Sequence, residues 1–237
     1  MKLVVAKDYH DMSRKAANVI SAQVILKETS VLGLATGSTP IGAYQQLIEW
    51  HKKGDVSFAS ASTVNLDEYC GLPASHEQSY LSFMNANFFN HIDIRRENVH
   101  LPNGMTRSYE AECEAYDTLI SRLGGIDLQL LGIGPNGHIG FNEPDEHFMM
   151  KTHRVRLSEA TRQANARFFG DDPNNVPEFA LTMGMLHIMQ AKKILLVANG
   201  QQKLSVLDRA LNGPVTPRLP ASLLQLHPDL TVVFSEK

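Results

Sequence analysis

The chain has 237 residues, of which 43% are apolar and 20% charged, as expected for one globular domain spanning residues 1–237. Its net charge of −3 disfavours nucleic acid or an anionic membrane as a partner, so an anionic ligand would need a local positive site. The two cysteines, Cys70 and Cys113, are too few for a disulfide framework. The first apolar run ends at Lys7, too early for a signal peptide, and no run approaches the roughly 20 apolar residues of a membrane span. We therefore expect a cytoplasmic protein.

Apolar, β-favouring runs alternate with helical patterns along the chain. Residues suited to capping mark two helix starts: Asp8 or Asp11 for the first helix, and Thr39 followed by Pro40 for the second. In chain order the pattern predicts strand 2–6, a helix from residue 8 or 11 to about 27, strand 31–35, helix 40–50, strand 62–66, helix 79–89, strand 99–101, helix 107–123, strand 126–133, strand 193–198, helix 201–211 and strand 230–234.

This alternation predicts an α/β fold with a mostly parallel sheet and helices on both faces. Ligands of such sheets bind beyond the carboxyl ends of the strands, so functional residues are expected in the loops that follow strands. Residues 145–176 are polar, charged and rich in Asn and Arg. We interpret them as a lid-like insertion rather than a second domain.

The loop over residues 34–40 follows a strand and opens a helix. Gly37 permits an unusual backbone turn, and the free N–H groups of a helix start, together with the hydroxyls of Ser38 and Thr39, would suit a phosphate. The alternative is a capped helix after a tight turn, because turns of this composition are common.

Two adjacent acids, Asp67 and Glu68, stand at the end of the third predicted strand. In a partly desolvated cleft, Asp67 could act as a general base. The alternative is that both are solvated loop acids or helix caps, and it is favoured if this segment is taken alone.

The most informative loop covers residues 132–144, where a long apolar strand is followed by a turn with four glycines. Glycines let a backbone approach a ligand closely. His138 can move protons near neutral pH, and Glu143, five residues later, could hold its tautomer and orientation. A lone histidine is more often structural, but the glycines, the strand-end position and the nearby acid favour catalysis here.

Two cations could complete an anion site. Arg167 lies in a polar segment, and Lys203 stands at the start of a helix, where it opposes the helix dipole, so a bound anion would relieve that conflict. Each of the two, taken alone, is more simply a surface cation. We expect His51, His91 and His100 on the surface, and no spacing suggests a metal site.

Six motifs follow one another along the chain: LATGSTP, NLDEY, GIGPNGHIGFNEP, NARFF, ALTMG and LQLHP. Together and in this order they resemble the motifs of glucosamine-6-phosphate deaminases, and NLDEY and GHIGFNEP discriminate best. The resemblance covers nearly the whole chain. It implies a Rossmann-like α/β fold, shared with sugar-phosphate isomerases and lactonases, and chemistry without a cofactor. The implied reaction is the aldose–ketose isomerisation and deamination of glucosamine 6-phosphate to fructose 6-phosphate and ammonia, in amino-sugar (N-acetylglucosamine) catabolism.

The resemblance also implies residue roles. Asp67 matches the base that moves a proton between sugar carbons 2 and 1, and His138 matches the histidine that assists ring opening. Glu143 and Asn136 match positions that support this histidine, although many members carry aspartate where this chain has Asn136. The positions that match the family's phosphate site are Gly37, Ser38, Thr39, Arg167 and Lys203.

Two other functions remain open. A 6-phosphogluconolactonase would share the superfamily and a histidine in a glycine-rich loop, but its loop lacks the FNEP continuation. A sugar-phosphate-sensing regulator would bind the ligand without turnover, and such proteins usually carry a DNA-binding segment. Longer deaminases are often hexamers activated by N-acetylglucosamine 6-phosphate, and this chain lacks their C-terminal extension, so we expect a monomer without that regulation.

Overall fold

The computed structural model of the protein describes residues 1–236. Most of the predicted strands and helices lie within one or two residues of their expected bounds. The strands of this described range are β1 (Lys2–Ala6), β2 (Val31–Leu34), β3 (Ser62–Asn65), β4 (Asp67–Tyr69), β5 (Val99–His100), β6 (Leu128–Leu131), β7 (His153–Arg156), β8 (Phe179–Thr182), β9 (Ile194–Asn199) and β10 (Leu230–Ser235).

The α-helices of the same range connect these strands. They are α1 (Tyr9–Leu26), α2 (Ile41–Lys53), α3 (Tyr80–Asn87), α4 (Tyr109–Arg122), α5 (Glu159–Asn165), α6 (Met185–Gln190) and α7 (Gln201–Asn212). Short 3-10 helices cover Phe89–His91, Arg96–Asn98, Ala166–Phe168 and Pro220–Leu226.

Seven strands form one parallel sheet in the order β1-β10-β9-β6-β2-β3-β5, within residues 1–236. Strands β2 and β6, near its centre, are buried along their whole length, as expected for mainly apolar strands in a sheet that helices cover on both faces; Gln129 of β6 is the one polar residue among them. The predicted α/β fold is confirmed. Parallel strands place all their carboxyl ends along one edge, so the loops after β2, β3, β6 and β9 are neighbours.

A second, antiparallel sheet in the order β4-β8-β7 was not predicted. The strand pattern is weak here because β4 has three residues and β7 has the sequence HRVR, with one apolar side chain. Strand β7 and helix α5 belong to the polar segment 145–176. Beside this sheet lies a small apolar cluster of its own, formed by Tyr69, Phe141, Leu157, Ala166, Val176 and Ala180.

Capping decides where the first two helices begin. Asp8 caps α1, because its side chain accepts the N–H of Asp11 at 2.8 Å. The prediction that Thr39 caps the second helix is wrong: Pro40 occupies that position and α2 begins at Ile41. The Thr39 hydroxyl instead donates to Asn199 Oδ1 at 3.2 Å, which ties the loop after β2 to the end of β9. No helix within residues 1–236 has the length and apolar character of a membrane span.

Candidate active site

The loops after β2, β3, β6 and β9 surround one cavity of about 480 Å³. Asp67 and His138 both line it, although 71 positions separate them in the chain. Helix α5, together with Arg167 just after it, forms a further side of the cavity wall. The predicted site residues on the cavity wall are Gly37, Ser38, Thr39, Asp67, Asn136, His138, Arg167 and Lys203.

Asp67 lies in β4 and is only 6% exposed. Burial, and then the negative charge of Glu68, raise the pKa of its carboxyl to about 8. The loop after β6 approaches closely here: Gly140 has φ +57°, and a Cβ added to it would lie 3.4 Å from Asp67 Oδ2. A buried carboxyl that titrates near neutral pH in a cavity is typical of a general acid or base.

Glu68 has a different role from its neighbour because successive side chains of a strand point to opposite faces. Its carboxylate accepts the backbone N–H groups of Tyr69 (2.9 Å), Tyr80 (2.9 Å) and Leu81 (3.1 Å). Two of these belong to the first turn of α3, so Glu68 satisfies donors that a helix start leaves unpaired. Burial raises the pKa of Glu68, and these three N–H groups oppose that rise. The helix-cap alternative therefore applies to Glu68 and not to Asp67.

His138, Asn136 and Glu143 form a connected group behind the cavity. His138 Nδ1 lies 3.6 Å from Glu143 Oε2, and both side chains are less than one-fifth exposed. Asn136 Nδ2 donates to the same oxygen at 2.6 Å, while Asn136 Oδ1 accepts the His138 backbone N–H at 3.2 Å. Burial opposes ionisation of Glu143, but His138, Thr161 and Asn136 outweigh it and lower the pKa of this carboxyl to about 2. A fixed anion therefore stands beside the imidazole.

The other end of the cavity is cationic. Arg167 Nη2 donates to Ser38 Oγ and Lys203 Nζ donates to Thr39 Oγ1, both at 3.4 Å. Burial, and then the charge of Arg167, lower the pKa of Lys203. Two cations held in one cavity repel each other, and a phosphate between them would remove this repulsion and accept charge-assisted hydrogen bonds.

Three residues that the sequence analysis missed complete the site. Tyr80 lines the cavity and stacks on Phe141, with ring centroids 6.0 Å apart. Tyr9 donates to Ser38 O at 3.0 Å and accepts the Gly42 N–H at 2.9 Å, so it holds the loop after β2 from behind. Thr161 bonds to Glu143. Of the three, only Thr161 could have been found from the sequence, because Ser158, three residues earlier, is a typical helix cap and predicts a helix start there.

Comparison with known proteins places the chain in a family. A family model described as glucosamine-6-phosphate isomerases/6-phosphogluconolactonase matches residues 6–233. The chain belongs to this family. The site just described therefore lies in a family that comprises glucosamine-6-phosphate isomerases and 6-phosphogluconolactonases.

Within this family, two relatives and one solved structure are similar to nearly the whole chain. A glucosamine-6-phosphate deaminase of Lachnoclostridium phytofermentans is 64% identical over 233 residues, which cover 98% of either chain. One of Halothermothrix orenii is 50% identical over 237 residues, covering 100% of this chain and 98% of the relative. The solved structure of a monomeric glucosamine-6-phosphate deaminase superposes with a TM-score of 0.96 at 46% identity, over 99% of this chain and 97% of the other.

A lactonase structure is similar in fold alone. The 6-phosphogluconolactonase of Thermotoga maritima aligns over 100% of this chain and 99% of its own, with a TM-score of 0.73 and 21% identity.

Within residues 1–236, no group of three or more His, Cys, Asp and Glu side chains is arranged to hold a metal ion.

Proposed function

We propose that this protein is a glucosamine-6-phosphate deaminase of amino-sugar catabolism. It converts glucosamine 6-phosphate and water into fructose 6-phosphate and ammonia. One observation carries the proposal: a buried carboxyl that titrates near pH 8, Asp67, shares a cavity with a cationic end formed by Arg167 and Lys203. The deaminases named above, similar along the whole chain, support it.

The phosphate of the substrate binds at the cationic end. Arg167 and Lys203 supply charge, and Ser38 and Thr39 supply hydroxyls that already contact these two cations. Gly37, with φ +90°, turns the backbone of this loop. Because the phosphate is remote from the reacting carbons, its binding energy serves to position the sugar.

His138 assists the opening of the sugar ring by moving a proton between the ring oxygen and the C1 hydroxyl. The carboxylate of Glu143 lies 3.6 Å from its Nδ1 and can orient the ring, and Asn136 orients Glu143. In this chain the negative charge near the imidazole therefore comes from Glu143, and Asn136 contributes a hydrogen bond.

Asp67 then moves the proton from carbon 2 to carbon 1. Loss of the C2 proton from the open chain gives an enolamine, and return of the proton at C1 gives an imine at C2. Water adds to the imine and ammonia leaves, so the products are the ketose phosphate and ammonia. A carboxyl whose pKa is about 8 exchanges protons readily near neutral pH. We expect kcat/KM to rise with pH towards 8, as Asp67 becomes ionised in the free enzyme.

The decisive experiment measures ammonia and fructose 6-phosphate released from glucosamine 6-phosphate by the purified enzyme, beside hydrolysis of 6-phosphogluconolactone. Stoichiometric release of both products, with lactone hydrolysis no faster than the background, supports the deaminase. Faster lactone hydrolysis would make the protein a lactonase, and binding of the sugar phosphate without turnover would make it a sensor.

The phosphate end can be tested separately with Lys203→Met. Loss of one charged hydrogen-bond donor is expected to raise KM about tenfold or more, with a smaller effect on kcat. Lys52→Met is the matched control, because Lys52 is exposed and lies in the last turn of α2, far from the cavity. Equal KM values for the two variants would remove Lys203 from the phosphate site.

We also propose that the enzyme is a cytoplasmic monomer of one domain, with residues 145–176 as a lid. The monomeric deaminase of similar structure supports the monomer. The free thiols of Cys70 and Cys113 support a reducing compartment such as the cytoplasm. The lid is supported by α5, which contributes to the cavity wall. Light scattering after gel filtration tests the monomer, and hyperbolic kinetics unchanged by N-acetylglucosamine 6-phosphate test the absence of that activation. Amide exchange in residues 157–169 that fructose 6-phosphate does not slow would contradict the lid.

A further inference from the structure

The carboxylate of Glu143 joins two separate parts of the site through its two oxygens. Oε2 faces the loop after β6, where it accepts from Asn136 Nδ2 and lies 3.6 Å from His138 Nδ1. Oε1 faces α5, where it accepts from the hydroxyls of Thr161 and, at 3.2 Å, Ser158. A carboxylate bonded on both sides has one orientation, so the group beside the imidazole is held from α5.

The proton of the Thr161 hydroxyl is engaged inside the protein, because it goes to Glu143. The Thr161 oxygen also lies 3.0 Å from Ser158 Oγ, whose single proton is shared between Thr161 Oγ1 and Glu143 Oε1. Although the residue contributes to the cavity wall, it is only 5% exposed. A substrate that accepted a hydrogen bond from this hydroxyl would first have to break its bond to Glu143, so we expect the effect of Thr161 on the reaction to pass through Glu143.

Helix α5 also leads directly to the cationic end. Arg167 follows it in the 3-10 helix Ala166–Phe168 and reaches Ser38 Oγ at 3.4 Å. Thr161 and Arg167 therefore lie on one continuous helical segment.

We infer that Thr161 is a positioning residue for this reaction: through Glu143 it sets the orientation of His138 and ties that orientation to the segment bearing Arg167. The inference rests on the proposed deaminase function for its kinetic test and on the described contacts alone for its spectroscopic test.

The kinetic test compares Thr161→Val, which keeps the shape and removes the hydroxyl, with Thr161→Ser, which keeps the hydroxyl. Valine is expected to lower kcat about tenfold or more, as for a lost hydrogen bond to a charged group, with KM changed by less than about threefold. Serine is expected to recover most of the loss. Equal losses for valine and serine, or an unchanged kcat for valine, would overturn the inference.

A double-mutant cycle shows whether the effect passes through Glu143. In the Glu143→Gln background, the further change Thr161→Val is expected to lower kcat by less than about twofold, because the oriented anion is already gone. A loss as large as that in the wild-type background would mean that Thr161 acts independently, which contradicts the inference. Thermal melts of each variant separate these effects from loss of folded protein.

A readout without turnover uses the imidazole nitrogen resonances of His138, assigned by their loss in His138→Gln. At a pH where the ring is neutral, the wild type and Thr161→Ser are expected to show one tautomer with Nδ1 protonated towards Glu143, and Thr161→Val a mixture. Identical spectra for all three would overturn the inference. If the wild type released no ammonia, the proposed function would fall, and these spectra would still decide the role of Thr161.

Discussion

Replacing Asp67 with Asn is expected to stop the enzyme and stabilise its fold at the same time. In the unfolded chain this carboxyl loses its proton near pH 4, whereas in the fold it keeps the proton until about pH 8. A group whose folded pKa is raised stabilises the fold fully below its unfolded pKa, and this stabilisation is lost as the pH rises towards the folded pKa. Three pH units, from 4 to 7, at about 1.4 kcal/mol each therefore cost the wild type about 4 kcal/mol.

The Asn side chain avoids this pH-dependent cost, but it must find hydrogen-bond partners in the same buried place, at about 1–2 kcal/mol. A net gain of about 2–3 kcal/mol remains at pH 7, which corresponds to a Tm rise of roughly 4–12 °C for a chain of this length. At pH 5 the cost of burying the Asp67 carboxyl and the cost of burying the Asn side chain are about equal, so the two proteins should have the same Tm. Turnover should fall by about 10²-fold or more, because a general base contributes at least that much.

Differential scanning calorimetry of both ligand-free proteins from pH 5 to pH 8 measures the effect, with ammonia release as the activity assay. Glu68→Gln is a suitable contrast because Glu68 caps α3 and its replacement is expected to destabilise the protein. If Asp67→Asn melted below the wild type at pH 7, or if the difference did not change with pH, the reasoning from the raised pKa would be refuted.

Two further outcomes are expected. Tyr9→Phe removes the hydroxyl that joins Ser38 O and Gly42 N, so KM should rise about three- to tenfold with kcat nearly unchanged, as measured in initial-rate assays. A fall in kcat alone would argue against a role in phosphate binding. Asp127→Asn should cost about 1–3 kcal/mol in urea unfolding at pH 7, since this 3%-exposed carboxylate accepts from Lys27, Lys192 and the Val31 N–H. Burial opposes the ionisation of Asp127, but these three partners outweigh it and lower the pKa of the carboxyl. The stabilisation of the wild type by the ionised carboxylate should therefore be lost as the pH falls below about 4.

Local sequence patterns were sufficient to predict the central sheet and the edge of it at which the site lies. Long apolar runs separated by helical patterns leave few alternatives to a covered parallel sheet, and the bounds of β1, β2 and β9 lie within one residue of those predicted. The loops that follow these strands share one edge for the same reason. The motifs added the family, because their order along the chain is characteristic.

Which polar side chains face the cavity depends on the packing of elements that are distant in the chain. Asp67 and Glu68 are equivalent in a sequence, but the alternation of β4 turns Asp67 towards the cavity and Glu68 towards the backbone N–H groups at the start of α3. Tyr9 contacts Ser38, 29 positions away, and Thr161 contacts Glu143, 18 positions away. A local sequence pattern cannot predict contacts over such distances in the chain. Strand β4 itself is short and forms only because β8 lies beside it, so its existence depends on packing that no window of the sequence contains.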